Sequence, residues 1–441
     1  METAMEPVEM AKSEEGARMK ETVPGVLGLR ATFRLGWRNL RRNRRRTWIT
    51  ATTVALAVLL LQFSNGLLVG IEQQSFDNLI NYQTGHAKVY ADGYFELRDE
   101  FPLDFAVTDT GAVLAAVRAV SGVAAATPRL TFQAQLSNGL DQVPCLGVGI
   151  QVRGSDTDVF RIPQTVVDGE YLAEDGEGIL LGSGIAEIFE VSSGDWLTVL
   201  AKTQYGAYEA LDLPIVGVIG TGNPLIDRNS FLLPLATAQY ILDMDGAVTE
   251  VAIRFSARAR ESVTLDRLAG ELGASGEYDV KGWREMEQDF MSLVQMKRLG
   301  NIIFLGIFIV LAVVGITNTI LMAAYERTRE IGMLMAIGLR GSGIRRLFLA
   351  EGALTGLLGG AVGSLIAVGL IIWLAGIGIN ITAIYGDIDI GYPVKDSIYP
   401  ALNVAVVTGG WLLTGMLAAL ASLYPAARAS RNRPVEALRH V

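Results

Sequence analysis

The sequence predicts a membrane protein with four transmembrane α-helices and a large α+β extracytoplasmic domain between helices 1 and 2. Half of its 441 residues are hydrophobic, more than is usual for a soluble protein of this length. Four apolar stretches reach the roughly 20 residues that a bilayer crossing requires. The charges are also segregated: the segment from Arg30 to Arg46 holds arginines and no acid, whereas most acids lie between Glu72 and Asp289.

The four predicted spans cover residues 48–70, 299–325, 347–379 and 401–424. Each lacks a charge at its middle, and Glu351 lies near the start of the third. A charged residue at mid-membrane costs roughly 2.5–3.5 kcal/mol on insertion scales, so long uncharged stretches indicate membrane helices. The first span and the region before it are both too long for a cleaved secretory signal, so we interpret this span as a signal anchor.

Arginine placement predicts the direction of the chain. Arginines concentrate before span 1, between spans 2 and 3, and after span 4. The positive-inside rule therefore assigns residues 1–47, 326–346 and 425–441 to the cytoplasm. Both termini are then cytoplasmic, and residues 71–298 and the loop 380–400 lie outside.

The segment 71–298 predicts an α+β domain that is entered and left through helical stalks. Apolar residues recur at helical spacing in 71–80 and 283–299, which predicts the stalks. Between the stalks, runs of β-branched and apolar residues bounded by turn residues predict strands. The predicted elements are strands at 85–91 and 143–152, a helix at 111–120, strand–helix–turn–strand over 177–202, a strand at 214–222, and strand–helix over 228–242.

The composition argues against several chemistries. With one cysteine and two histidines, we expect no intramolecular disulfide, no metal site and no bound cofactor. No glycine fingerprint opens a helix, and no catalytic constellation stands out. In the loop 380–400, Asp387 and Asp389 are either a weak cation site or a solvated turn; two alternating carboxylates are a poor ligand set, which favours the turn.

A charged segment separates spans 2 and 3. Its pattern predicts a short helix from Glu326 to Ile337 with Ile331, Leu334 and Met335 on one apolar face. Glycines at 338 and 341 are suited to end that helix. Taken alone, the segment is either a rigid surface element or a loop of arginines that extend to the membrane surface.

The same segment resembles the coupling region of MacB/FtsX/LolC-type ABC transporter permeases. The resemblance is carried by "ERTREIG", then "AIG", then Phe348, Glu351 and Gly352. The stretches 37–50, 180–199 and 425–439 are also similar to that family. An acidic extension over about residues 1–24 and the detail of the external domain depart from it.

The resemblance implies a separate permease subunit in the bacterial cytoplasmic (inner) membrane. Such permeases pair with a second permease copy or paralogue and with two cytoplasmic ATPase subunits. No G-x-x-x-x-G-K-[ST] motif occurs in the chain, so ATP and magnesium are expected on the partner and no enzymatic activity on this subunit. The residues implied in coupling to the ATPase are Glu326, Arg327, Thr328, Arg329, Glu330, Ile331, Gly332, Leu334, Ala336, Ile337 and Gly338.

Polar residues inside the spans have two interpretations. Gln62, Ser64 and Asn65 lie toward the outer half of span 1, and Thr317 to Thr319 lie in span 2. Such residues either bond helices together or mark a substrate path. Glycines spaced four apart in span 3 predict close helix packing, either within the subunit or across a dimer.

The resemblance leaves three functions open, all acting at a lipid membrane and none involving nucleic acid. The first is extraction of lipoproteins or lipid-like substrates from the outer leaflet, as in LolC/LolE-type subunits, whose stretch after the first stalk is similar here at Gly85 and His86. The second is MacB-like efflux with a periplasmic acceptor. The third is FtsX-like signalling to cell-wall hydrolases, although those chains usually have a smaller external domain. A receptor without an ATPase leaves the charged segment unexplained.

Overall fold

The computed structural model describes residues 28–152, 154–173, 176–380, 393 and 397–430. Within these ranges, four helices are long and apolar enough to cross a membrane, and an α+β domain lies between the first and second. The predicted fold class is therefore confirmed. The extension before residue 28, the Asp387–Asp389 cluster and the tail beyond residue 430 lie outside the described residues.

The first and second membrane helices extend beyond their apolar stretches at both ends, and the third begins before its stretch. They cover Arg44–Leu79, followed by one π-helical turn at Ile80–Thr84, then Gln288–Glu326, Gly341–Ile377 and Val404–Ala421, which continues after Ser422 as Leu423–Ala429. The fourth helix begins three residues later than the apolar pattern suggests. Asn403 sets this start, since its side chain accepts hydrogen bonds from the backbone N–H groups of Ala405 and Val406.

Two compact units make up the chain. The helical unit contains the described residues of 28–66, 300–373 and 402–430. The other unit, here called the inserted domain, contains 67–299 and the described residues of 374–401. Besides membrane helices, the helical unit includes an amphipathic helix at Leu29–Arg42 and a connecting helix at Thr328–Ala336.

The third membrane helix has two series of glycines spaced four residues apart, and both pack against other helices of the same chain. Gly356 and Gly360 lie against the fourth helix, where a Cβ would come 2.5 Å from Ala418 and 3.1 Å from Trp411. Gly359 lies against the first helix, where a Cβ would come 2.6 Å from the carbonyl oxygen of Ala51. The small-residue spacing therefore serves helix packing within the subunit on two faces of one helix.

The inserted domain is built on a ten-stranded sheet. The strands are β1 (Ala87–Ala91), β2 (Val123–Ser137), β3 (Gln142–Ile150), β4 (Val166–Gly169), β5 (Ile179–Gly182), β6 (Trp196–Lys202), β7 (Tyr208–Ile219), β8 (Ser230–Pro234), β9 (Glu250–Phe255) and β10 (Tyr278–Gly282). Their order is β10-β1-β9-β2-β3-β8-β5-β7-β4, with β6 joining β2 to β7. The β3–β8 and β5–β7 pairs are parallel and the others antiparallel.

The predicted strands at β1, β3, β5, β6, β7 and β8 are all present, and β2, β4, β9 and β10 are additional. Helices cover Thr110–Ala119, Ser155–Val159, Ser183–Phe189, Pro224–Asn229, Leu235–Leu242, Glu261–Leu272 and Trp283–Met286, and 3-10 turns cover Phe95–Glu100, Ile162–Thr165 and Gly273–Ser275. The second stalk is not one continuous helix, because it is interrupted at Glu287 before Gln288 begins the second membrane helix.

The glycine packing predicts a sharp contrast between two substitutions in the third membrane helix. Gly359→Ala forces the first and third helices apart and should lower the stability by about 1–3 kcal/mol. Gly369→Ala is the matched control, since nothing lies within 4 Å of the added Cβ. Thermal unfolding of the purified full-length variants should show a lower midpoint for the first and an unchanged or higher midpoint for the second. Equal effects would contradict the packing assignment.

Candidate functional site

The connecting helix joins the second and third membrane helices through two local breaks. Arg327 separates it from the end of the second membrane helix at Glu326. Gly338 ends it with a φ of +102°, a left-handed conformation that suits glycine. Gly341, which the sequence suggested as a second terminator, instead begins the third membrane helix. The helix is thus fixed at both ends by short turns.

One face of the connecting helix packs against its neighbours. Ile331 is buried with Ile344 and Phe348 of the third membrane helix, and with Ala426 and Ala429 that follow the fourth. Met335 packs against the same cluster. This small apolar cluster holds the connecting helix in place.

Of the apolar face predicted at Ile331, Leu334 and Met335, only a part is covered by neighbouring helices. The neighbouring helices cover only a narrow stripe through Ile331 and Met335, so Leu334 lies outside it. Met333 is 47% exposed, Leu334 38% and Ile337 85%. We call these three residues the exposed apolar patch; neighbouring exposed apolar side chains are typical of interaction sites.

Glu330 points toward arginines rather than away from the protein. Both of its carboxylate oxygens lie 2.6 Å from Nη2 of Arg42 on the amphipathic helix. The Nε of Arg327 donates to one of them at 2.9 Å. Burial alone would raise the pKa of Glu330, but the hydrogen bonds from Arg42 and Arg327 hold it below its usual value.

Glu351 is a buried carboxylate on the third membrane helix, only 6% exposed. Its Oε1 accepts a hydrogen bond from Nδ2 of Asn39 at 2.5 Å and another from Nη1 of Arg327 at 3.3 Å. Arg327 therefore bridges Glu330 and Glu351. We call Asn39, Arg42, Arg327, Glu330 and Glu351 the carboxylate cluster; it joins the amphipathic helix, the connecting helix and the third membrane helix.

The other residues implied in coupling lie around this cluster. Glu326 is exposed and lies 4.0 Å from a nitrogen of Arg46. The hydroxyl of Thr328 donates to the carbonyl oxygens of Ala324 and Tyr325, which closes the end of the preceding helix. Gly332 is buried, whereas Arg329 and Ala336 are exposed. Most charges in the segment are thus engaged inside the chain, and the outward surface is largely apolar.

The polar residues of the first membrane helix bond to other helices. Gln62 is buried, and its Nε2 donates to Oγ of Ser364 at 2.8 Å and to the carbonyl oxygen of Val407 at 3.2 Å. The hydroxyl of Ser64 donates to Oδ1 of Asn301 at 3.2 Å. These contacts favour a role in holding the four helices together. Asn65 is half-buried, and no hydrogen bond of its side chain is found among the described residues.

Thr317 on the second membrane helix also forms a hydrogen bond to another helix. Its hydroxyl donates to the carbonyl oxygen of Ala421 on the fourth helix at 3.1 Å. Thr319 bonds within its own helix, to the carbonyl oxygen of Gly315. Polar residues inside the helical unit therefore connect each membrane helix to at least one other.

Gly85 and His86 belong to the inserted domain and lie at the entry to β1. Gly85 has a φ of +67°, and a Cβ there would come 2.9 Å from the carbonyl oxygen of Ile253. The Nδ1 of His86 accepts a long hydrogen bond from the backbone N–H of Phe255, and its ring lies on the Phe255 ring at 5.2 Å between centroids. Both residues serve the junction of β1 with β9.

A cavity of about 380 Å³ lies over one face of the central sheet in the inserted domain. Lys88 and Glu250 form a buried ion pair at its wall, with 2.8 Å between Nζ and Oε1. Burial raises the pKa of Glu287 at the same cavity. The sequence offered no motif for this site, because its lining residues come from segments far apart in the chain, including β1, β2, β3, β8, β9 and the start of the second stalk. Within the described ranges, no three histidine, cysteine or acidic side chains lie together as a metal site.

Comparison with known proteins agrees with this architecture. The family model for the MacB-like periplasmic core domain matches residues 47–274, more than half of the chain, and that for the FtsX-like permease C-terminal region matches residues 302–434. The chain belongs to the MacB/FtsX-type permease family. The FtsX-like match contains the connecting helix with Arg327, Glu330 and Glu351, whereas Asn39 and Arg42 of the carboxylate cluster precede both matches. The MacB-like match contains strands β1 to β9, and β10 follows it.

Three relatives show how far the likeness extends. A lipoprotein-releasing system transmembrane protein LolC of Xylella fastidiosa is 27% identical over 92% of this chain and 98% of its own length. A lipoprotein-releasing system transmembrane protein LolE of Haemophilus influenzae is 26% identical over 71% of this chain and 76% of its own length. A macrolide export ATP-binding/permease protein MacB of Chlorobaculum tepidum is 29% identical over 52% of this chain and 34% of its own length. The chain is a transmembrane permease subunit of the ABC transporter type.

The environment of His86 predicts a pH effect on the inserted domain. Burial and the nearby charge of Arg254 lower the pKa of His86 to about 4, against about 6.5 in an unfolded chain. The unfolded state therefore takes up a proton between these values while the folded state does not. Stability from this site is complete above about pH 6.5 and decreases as the pH falls toward 4.

Hydrogen exchange of the β1 and β9 amides in the full-length protein tests this effect. Relative to His86→Gln, the wild type should lose protection between about pH 7 and pH 5. Comparing the two proteins at each pH removes the intrinsic pH dependence of exchange and the titration of other groups. A difference that stays constant across this range would contradict the assignment.

Proposed function

We propose that this permease subunit extracts lipoproteins or lipid-like molecules from the outer leaflet of the bacterial inner membrane, using ATP hydrolysed by separate partner subunits. The observation that supports lipoprotein release is the likeness to a lipoprotein-releasing LolC, which extends over nearly the whole of both chains. The match to a macrolide-export MacB covers about a third of that protein. MacB-like efflux toward a periplasmic acceptor, or FtsX-like signalling to cell-wall hydrolases, is the alternative.

The proposal includes an orientation. With the arginine-rich segments in the cytoplasm, both termini and the connecting helix are cytoplasmic, and the inserted domain is periplasmic. The chain itself then needs no catalytic site or cofactor. ATP and magnesium bind to two ATPase subunits, and a second permease, identical or paralogous, completes the complex.

The connecting helix is the proposed contact with the ATPase. Its exposed apolar patch, Met333, Leu334 and Ile337, suits the apolar centre of a protein interface. Its charged residues hold the helix in position for this contact. Glu330 binds Arg42, and Arg327 binds both Glu330 and Glu351. A displacement of the connecting helix is thereby passed to the amphipathic helix and to the third membrane helix.

Coupling through the exposed apolar patch predicts a selective loss in the assembled complex. Leu334→Glu places a charge at the centre of the patch and should reduce permease-dependent ATPase stimulation by at least tenfold, since a buried unpaired charge at an interface costs several kcal/mol. Val167→Glu is the control, because Val167 is a 60% exposed apolar residue on the inserted domain. Both variants should insert and fold. Normal stimulation with Leu334→Glu would contradict the docking proposal.

The substrate is tested separately from the coupling. The complex is purified in lipid without nucleotide, and mass spectrometry identifies acylated proteins that remain bound. We expect lipoproteins at near-stoichiometric amounts and their release when ATP is added. An ATPase-coupled complex that carries no acylated protein would favour the MacB-like or FtsX-like alternative and leave the coupling proposal intact.

A further inference from the structure

A cleft of about 370 Å³ opens between three elements of the helical unit. The amphipathic helix contributes Trp37 and Arg41, the first membrane helix contributes Arg44 and Trp48, and the third contributes Leu358 and Val362. The close approach of Gly36 to the third membrane helix, where a Cβ would come 3.3 Å from Leu354, brings these elements together. Neither the carboxylate cluster nor the exposed apolar patch contributes a residue to this cleft.

Four arginines of this region fall into two pairs with different partners. Arg42 and Arg46 lie within 4.0 Å of the carboxylates of Glu330 and Glu326. Arg41 and Arg44 have no acidic partner among the residues described here, and the only contact found for their guanidiniums is a 3.4 Å bond from Nε of Arg44 to the carbonyl oxygen of Arg41. Two exposed guanidinium groups with free donors therefore face one cleft and are suited to bind a phosphate or carboxylate group.

The remainder of the cleft is aromatic and apolar. The Trp48 side chain follows Arg44 by one helical turn and is 66% exposed, and Trp37 precedes Arg41 by one turn and is 46% exposed. Leu358 and Val362 are one turn apart on the third membrane helix and remain partly exposed. The arginines, the indole rings and the aliphatic side chains match the headgroup, the interface and the acyl chains of a lipid leaflet, respectively.

We propose that this cleft binds one anionic phospholipid of the surrounding leaflet. The phosphate of this lipid accepts hydrogen bonds from Arg41 and Arg44. The part of an acyl chain nearest the headgroup lies along Leu358 and Val362. A bound lipid adds a second connection between the amphipathic helix and the third membrane helix, beside the bond from Asn39 to Glu351. Anionic lipid thereby supports the element that carries Arg42 into the carboxylate cluster.

Native mass spectrometry of the full-length protein in detergent tests this site without a bilayer. The probes are phosphatidylglycerol, phosphatidylcholine with matched acyl chains, and inorganic phosphate. Wild-type protein should retain one phosphatidylglycerol in preference to phosphatidylcholine, and phosphate at about the same concentration should not displace it. The Arg41→Gln/Arg44→Gln variant should bind phosphatidylglycerol roughly tenfold or more weakly.

Two further variants distinguish lipid binding in the cleft from non-specific attraction of lipid to the basic charge of this region. Arg38→Gln/Arg45→Gln removes the same charge outside the cleft and should retain the lipid, whereas Trp48→Ala keeps every charge and should weaken retention. Equal losses in both arginine pairs, or displacement by inorganic phosphate, would overturn the lipid site. Wild-type protein that retains no anionic lipid would also overturn it and would make the acidic segment 1–24 the candidate occupant of the cleft.

Discussion

A buried carboxylate in the third membrane helix, ten residues after the helix begins, is the constraint on which this architecture depends. An ionised carboxylate cannot remain buried without partners, because the loss of hydration costs several kcal/mol. Glu351 obtains them from Asn39 and Arg327, which lie on different elements. Burial of one side chain thus dictates where the amphipathic helix and the connecting helix must lie relative to the third membrane helix.

The glycine faces of the third membrane helix provide the complementary constraint. Close contact with the first helix at Gly359 and with the fourth at Gly356 and Gly360 leaves little freedom for that helix to slide or rotate. Glu351 is therefore presented from a fixed position. Because Arg327 contacts both Glu351 and Glu330, a force applied to the connecting helix reaches a packed bundle and not a flexible loop.

Local sequence signals predicted the helices of the helical unit. Contacts between residues that are distant in sequence could not be predicted. Hydropathy marked all four membrane helices, and the turn glycine at 338 marked the end of the connecting helix, since both depend on neighbouring residues. Arg42, one of the two partners of Glu330, is separated from it by 288 residues, so no local pattern could reveal this contact. The exposure of Leu334 could not be predicted for the same reason: which part of an apolar helix face is covered depends on helices distant in sequence. In the inserted domain, β2 begins with an alanine-rich stretch that carries little strand signal, and the cavity beside Lys88 and Glu250 exists only once β1 and β9 pair.

The most direct measurement of the central claim is a charge-reversal cycle across the pair Arg42 and Glu330 in the complex assembled with its ATPase. Arg42→Glu and Glu330→Arg are compared singly and together for ATP-driven turnover and for ATPase stimulation. If the carboxylate cluster transmits motion, each single variant loses coupling and the double variant regains it, with a coupling free energy of about 1 kcal/mol. A double variant no better than the weaker single variant would contradict this account.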